Sequence, residues 1–331
     1  MTGRPGGFGA TRGTRLRAAF FGTPDFAATV LKALLSDASP VEVVLVVTQP
    51  DRPAGRSLAL QPPPVKSLAS LHHLPVRQPV SVRRPATIEA IAAAGAEVAI
   101  VVAYGRILPI ALLDAFPHGC LNVHASLLPR WRGAWPIGAA IRAGDAQTGV
   151  TIMRLDAGMD TGPILASRAV PLAPDASTEG MTGLMAATGA SLLLDVLPGY
   201  LQGSVVPVPQ PDHGATWCKQ VTKADGAIDW TAPAVEVERH VRAMDDWPGA
   251  WTLWGGRRLV VRRAEVSGEA STGCEADLSP GTVVVSGKQV TVATGEGRLA
   301  LQMVQLEGRA MVDATAFARG QRSFAGAILG R

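Results

Sequence analysis

Val41-Glu42-Val43-Val44-Leu45-Val46-Val47 is an almost unbroken run of β-branched and aliphatic residues. A strand reads this way when helices cover both faces of a parallel sheet, because each face then has to be apolar. Upstream, Ala18-Ala19-Phe20-Phe21 reads as a first strand, followed by a turn and an apolar-periodic helix reaching Leu35. Thr23 is expected to cap that helix, with Pro24 at its first position. Downstream, residues 88–94 read as helix, Val98–Val102 as strand and Cys120–His124 as a further strand. Strands alternating with helices predict a doubly wound, mostly parallel α/β sheet. Ligands of such sheets bind beyond the carboxyl ends of the strands.

The strand Cys120–His124 ends on two polar residues, Asn122 and His124. Side chains alternate along a strand, so these two share a face. An amide donor beside an imidazole suits a carbonyl that must become an oxyanion while its attacker loses a proton. Asp160 closes the loop Leu155-Asp156-Ala157-Gly158-Met159-Asp160-Thr161-Gly162 and can orient the imidazole if the fold returns it there. Taken alone, an N-x-H pair is more simply a satisfied polar pair in a core. The residues on its C-terminal side decide between the two readings.

Other chemistries find little support. The loop Gly22-Thr23-Pro24-Asp25 lacks the G-x-G-x-x-G spacing, and no G-x-x-x-x-G-K-[ST] occurs, so no nucleotide cofactor is expected. Six histidines include no H-E-x-x-H or similar spacing, so no metal is expected either. Cys120, Cys218 and Cys274 are widely spaced and odd in number, which fits a reducing, cytoplasmic compartment rather than a disulfide framework. No uninterrupted run of some 18 apolar residues appears, so no membrane span is expected.

The chain of 331 residues is 47% hydrophobic and 18% charged, an ordinary globular balance that suits two domains. Its net charge of +4 owes much to Arg4, Arg12, Arg15 and Arg17, whereas residues 205–331 hold 14 acidic and 14 basic side chains. Nucleic-acid binding would therefore rest on local basic patches rather than a general field. Residues 1–16, rich in Gly, Arg and Thr, read as a disordered extension without a secretory apolar segment. Residues 177–200 read as one helix ended by Pro198-Gly199, and 204–214, with Pro207, Pro209 and Pro211, as a linker. Beyond it come a helix at 235–244 and short strands at 251–254, 259–263, 282–285, Gln289–Ala293 and 298–303, the pattern of a small barrel.

The segment Asn122-Val123-His124-Ala125-Ser126-Leu127-Leu128-Pro129-Arg130-Trp131-Arg132-Gly133 resembles the signature of the folate-dependent formyltransferases. Gly22-Thr23-Pro24-Asp25-Phe26-Ala27, Gln49-Pro50-Asp51-Arg52-Pro53-Ala54-Gly55-Arg56, Val102-Ala103-Tyr104-Gly105 and Leu155 to Gly162 occur in family order. Ala227-Ile228-Asp229-Trp230, Arg242-Ala243-Met244 and Trp247-Pro248 extend the likeness to nearly the whole chain. The resemblance implies a formyltransferase-like Rossmann-type core over 17–203 and an OB-like, tRNA-binding barrel over 215–331. It implies transfer of the formyl group of 10-formyltetrahydrofolate to the α-amino group of methionyl-initiator tRNA, by a monomer. Asn122, His124 and Asp160 would be catalytic. Ser126, Leu127, Leu128, Pro129, Val102 and Tyr104 would contact folate, although leucines such as 127 and 128 are more often plain core. Arg52 and Arg56, in the proline-rich loop 48–64, would contact the tRNA acceptor end. Many relatives carry lysines where this loop has Leu58 and Ala59. A formyltransferase for a small amine would share the trio without needing that loop. A non-catalytic RNA-binding scaffold is disfavoured by the intact trio.

Overall fold

The computed structural model describes residues 15–54, 59–268 and 278–330. In chain order its first half holds β1 (Leu16–Gly22), α1 (Asp25–Leu34), β2 (Val41–Val47), β3 (Arg52–Ala54), β4 (Ala59–Gln61), α2 (Pro64–Leu71), β5 (Val76–Arg77), α3 (Pro85–Ala92), β6 (Val98–Val102), α4 (Ile110–Leu113) and β7 (Cys120–His124). Next come β8 (Arg132–Gly133), α5 (Pro136–Ala143), β9 (Gln147–Arg154), β10 (Ile164–Pro171), α6 (Thr178–Leu201) and β11 (Trp217–Cys218). The last part holds α7 (Ala234–Ala243), β12 (Ala250–Trp254), β13 (Arg257–Val266), β14 (Val283–Ser286), β15 (Gln289–Ala293), β16 (Arg298–Leu306), β17 (Met311–Asp313) and α8 (Ala314–Gly320).

Seven strands form one sheet in the order β10-β9-β7-β6-β1-β2-β5. The pairings β5-β2, β2-β1, β1-β6 and β6-β7 are parallel, while β7 and β9 are antiparallel. The mostly parallel α/β reading of the sequence therefore holds. Val98 to Val102 are buried throughout β6, the two-sided burial that the apolar runs require. Around the sheet, Phe21, Leu45, Val47, Ile91, Leu112 and Phe116 belong to one apolar cluster.

The chain divides into two compact units. The first comprises the described residues up to His124 with Thr151–Ala166 and Ala186–Gln210; the second comprises Ala125–Val150, Ser167–Met185 and the chain from Pro211. In the second, antiparallel strands run β12-β13-β16-β15-β14, with β17 on β16. Among the described residues no ladder joins β14 back to β12. Leu259, Val261, Val292, Leu299 and Val304 from these strands meet Val237 and Val241 of α7 and Phe317 of α8 in one core.

Two local expectations are corrected. Thr23 does not cap α1: its hydroxyl donates to the Tyr104 carbonyl (3.2 Å), and Pro24 occupies the cap position with no side-chain bond. The long-range carbonyl outcompetes the local amide. Pro198 lies inside α6, which continues to Leu201. A proline forfeits one intrahelical bond, but buried Leu193, Val196 and Leu197 hold this turn in place. By length and composition alone α6 could cross a membrane; 44% of its most apolar stretch is buried within the protein.

Candidate active site

β7 positions the first two site residues. Val101 of β6 lies beside Asn122 in register, and on the other side Asn122 faces Met153 and His124 faces Thr151 of β9. With β7 fixed by ladders on both edges, its pleat aims Asn122 and His124 to one side. Both meet Asp160 there. Asn122 Nδ2 donates to Asp160 Oδ1 at 3.3 Å, and His124 Nδ1 lies 3.7 Å from Oδ2. The latter distance is too long for a hydrogen bond. The His124 and Asp160 side chains are only 6% and 15% exposed, so water screens them little.

Asp160 arrives by a tightly built loop between β9 and β10. Asp156 Oδ1 accepts from the Gly158 amide (3.0 Å) and from the Thr161 hydroxyl (2.8 Å), an Asx-type turn. Gly162 is required, since a Cβ there would stand 1.9 Å from the Arg154 carbonyl oxygen. Asp160 itself has φ +54°. The left-handed region costs an L-residue roughly 1–2 kcal/mol, and Asp is among the residues that tolerate it best. The bend is fastened by Gln210, whose Nε2 donates to the carbonyls of Asp160 (2.9 Å) and Gly162 (2.8 Å). Sequence reasoning missed Gln210, and the only signal was one amide in a proline-rich stretch.

Cys120 sits four residues before His124 on the same strand. Burial, opposed by Arg154, pushes its thiol up to about 12, so it supplies no thiolate nucleophile.

Residues expected to contact folate are largely buried. Val102 is fully buried, and Tyr104 packs its ring edge-on against Phe21 within the core. Its carbonyl accepts from Gln49 Nε2 (2.8 Å) and from the Thr23 hydroxyl. Within the second unit, Ser126 is fully buried and its hydroxyl donates to the Arg130 carbonyl (2.6 Å). Leu128 is buried and joined to Pro129 by a cis bond. Leu127 lines a cavity of about 250 Å³ with Arg130, Trp131, Asp145 and Thr148. Asp145 accepts from Arg130 Nε (2.8 Å), Arg130 Nη2 (2.6 Å) and Trp131 Nε1 (2.7 Å). Burial alone would raise the Asp145 carboxyl, but the Arg130 and Trp131 bonds hold it below the usual range. The 126–129 segment therefore ends in a rigid lock.

Within 48–64, β3 and β4 pair antiparallel, with Arg52 opposite Gln61. Asp51 anchors its root through Lys66 Nζ (2.7 Å) and Gln78 Nε2 (2.6 Å), and those two bonds lower its carboxyl pKa. Arg52 is exposed and donates to Gln49 Oε1. Arg56 and Leu58 lie outside the described residues. Among the described residues, no three His, Cys, Asp or Glu side chains gather closely enough to hold a metal ion.

A mostly parallel α/β sheet thus brings an amide, an imidazole and a carboxylate together at one strand end. The chain belongs to the formyl transferase family: the formyl transferase model matches residues 16–197 and that of its C-terminal domain residues 220–322. It is 46% identical over 315 residues to a methionyl-tRNA formyltransferase of Roseiflexus sp. (strain RS-1), covering 95% of each chain. It is 44% identical over 310 residues to the methionyl-tRNA formyltransferase of Myxococcus xanthus (strain DK1622), covering 93% of this chain and 96% of that one. In fold it matches HypX from Aquifex aeolicus in complex with tetrahydrofolic acid (TM-score 0.60, 18% identity), over 94% of this chain and 48% of that one.

Proposed function

We propose that this chain transfers the formyl group of 10-formyltetrahydrofolate to the α-amino group of methionyl-initiator tRNA, acting as a cytoplasmic monomer in translation initiation. The observation that carries the reading is the approach of Asp160 to both Asn122 and His124. Methionyl-tRNA formyltransferases align with the chain almost end to end, which supports the acceptor, and the tetrahydrofolic acid of a structural neighbour supports the donor.

An α-amino group titrates near 7.7–8.0, so a useful fraction is already a neutral nucleophile. Its lone pair attacks the formyl carbon, a C–N bond forms, and the carbonyl electron pair moves to oxygen. Asn122 donates to that oxyanion, as does His124, through the ring nitrogen opposite the one facing Asp160. The proton on the attacking nitrogen passes to Asp160, which hands it to His124 Nδ1 as His124 gives the proton of its opposite ring nitrogen to the folate nitrogen; the oxyanion's electron pair re-forms the carbonyl, and the folate nitrogen departs with the electrons of the broken C–N bond. The assignment gives folate contact to Val102, Tyr104, Ser126, Leu127, Leu128 and Pro129, with much of it through backbone. Arg52 and Arg56 are assigned to the acceptor end. Residues 17–203 form the catalytic domain, 204–214 a linker and 215–331 the tRNA-binding domain.

The test offers 10-formyltetrahydrofolate with methionyl-initiator tRNA, methionyl-elongator tRNA or small amines, including amino sugars, and tracks which acceptor is formylated. Initiator tRNA should be strongly preferred. Preference for a small amine would replace the reading by that of a small-molecule formyltransferase.

A further inference from the structure

Gln210 belongs to a stretch with three prolines that the sequence reads as a plain linker, yet it is tied into the Asp160 loop. Ile164 and Val208 exchange both backbone bonds (2.7 and 2.8 Å) in an isolated antiparallel bridge. Antiparallel register then carries residue 210 opposite residue 162. From there the Gln210 amide nitrogen donates to the carbonyls of Asp160 (2.9 Å) and Gly162 (2.8 Å), with Met153 Sδ 4.0 Å away. Those carbonyls lie at and just after the bend at which Asp160 adopts φ +54°. The direction of the Asp160 carboxylate is set by that bend, and the carboxylate is the group that meets Asn122 and His124.

We infer that Gln210 is a positioning residue for formyl transfer: its amide fixes the left-handed turn that aims Asp160 at Asn122 and His124. The inference rests on the catalytic reading of the trio. Gln210 touches no reacting atom. It acts by keeping Asp160 from swinging, and misplacement of a catalytic group by about 1 Å can cost on the order of 10²-fold in rate. A glutamine is suited to this because one uncharged nitrogen offers two donors. A glutamate of the same length would face two carbonyls with none.

The experiment is a double-mutant cycle on the full chain, using Gln210→Met, which keeps length and removes the donors, in the wild-type and Asp160→Ala backgrounds. Gln210→Met alone should lower kcat about 10- to 100-fold while leaving KM for 10-formyltetrahydrofolate and tRNA nearly unchanged. In the Asp160→Ala background the same change should cost less than about threefold, because the group it positions is gone. Hydrogen exchange at residues 156–163, read on Gln210→Met and on Gln210→Ala, should quicken in both. An unaltered kcat, an equal loss in both backgrounds or unaltered exchange overturns the inference and leaves the trio standing. Full turnover by Asp160→Ala alone would instead bring down the trio reading, and this inference with it.

Discussion

Asp160 sits in a backbone region that favours glycine, and it carries the carboxylate that approaches Asn122 and His124. The two requirements can be separated by substitution. Asp160→Gly relieves a strain of roughly 1–2 kcal/mol while deleting the carboxylate. It should melt at or above the wild-type temperature in calorimetry and still lose most turnover; an active Asp160→Gly enzyme would count against the assignment. Asn122→Ala removes the proposed oxyanion donor and should lower kcat about 10²–10³-fold with its circular dichroism unchanged. The trio was legible because strand periodicity puts 122 and 124 on one face and the resemblance supplied Asp160. Gln210 was not legible, since its role depends on the bridge between Ile164 and Val208, which no local pattern announces.

Among the elements, the β3–β4 hairpin is held at its root by Asp51, Lys66 and Gln78. Arg56→Ala should raise KM for tRNA and leave KM for folate alone. Leu58→Lys with Ala59→Lys should tighten tRNA binding and steepen its log–log salt dependence by about 0.9 per new phosphate contact, by analogy with duplex DNA. Binding titrations from low to high salt measure both, and identical curves for all variants would mean that the hairpin does not touch tRNA. In α7, burial pulls the His240 pKa below its ordinary 6.5, with the Gly226 carbonyl opposing and Arg142 adding to the drop. The unfolded chain then binds a proton that the folded unit refuses. Stability should be full above about pH 6.5 and decline as pH falls below it. Urea midpoints at pH 7.5 and 5.5 should converge for His240→Gln relative to wild type. Strands β2, β6, β7 and β15 matched their sequence ranges because their apolar runs stop where burial stops. Thr23 and Pro198 did not, because a distant carbonyl and tertiary packing overrode the local signals.

For the whole molecule, each unit carries its own apolar core, and the second is closed by Trp254, Phe317 and Phe324 in mutual edge-to-face contact at 4.9–5.4 Å. Phe324 is fully buried, so Phe324→Ala should cost about 3–5 kcal/mol of that unit's stability, measurable by urea denaturation. A loss below about 1 kcal/mol would mean that the site collapses to fill the gap. The central claim is that the strand-end trio performs formyl transfer to an aminoacyl-tRNA. It is tested most directly by single-turnover formylation of methionyl-initiator tRNA, with enzyme and 10-formyltetrahydrofolate both saturating, in wild type and in folded His124→Ala. The bound formyl group should transfer at least about 10²-fold more slowly in His124→Ala; transfer at the wild-type rate would contradict the claim.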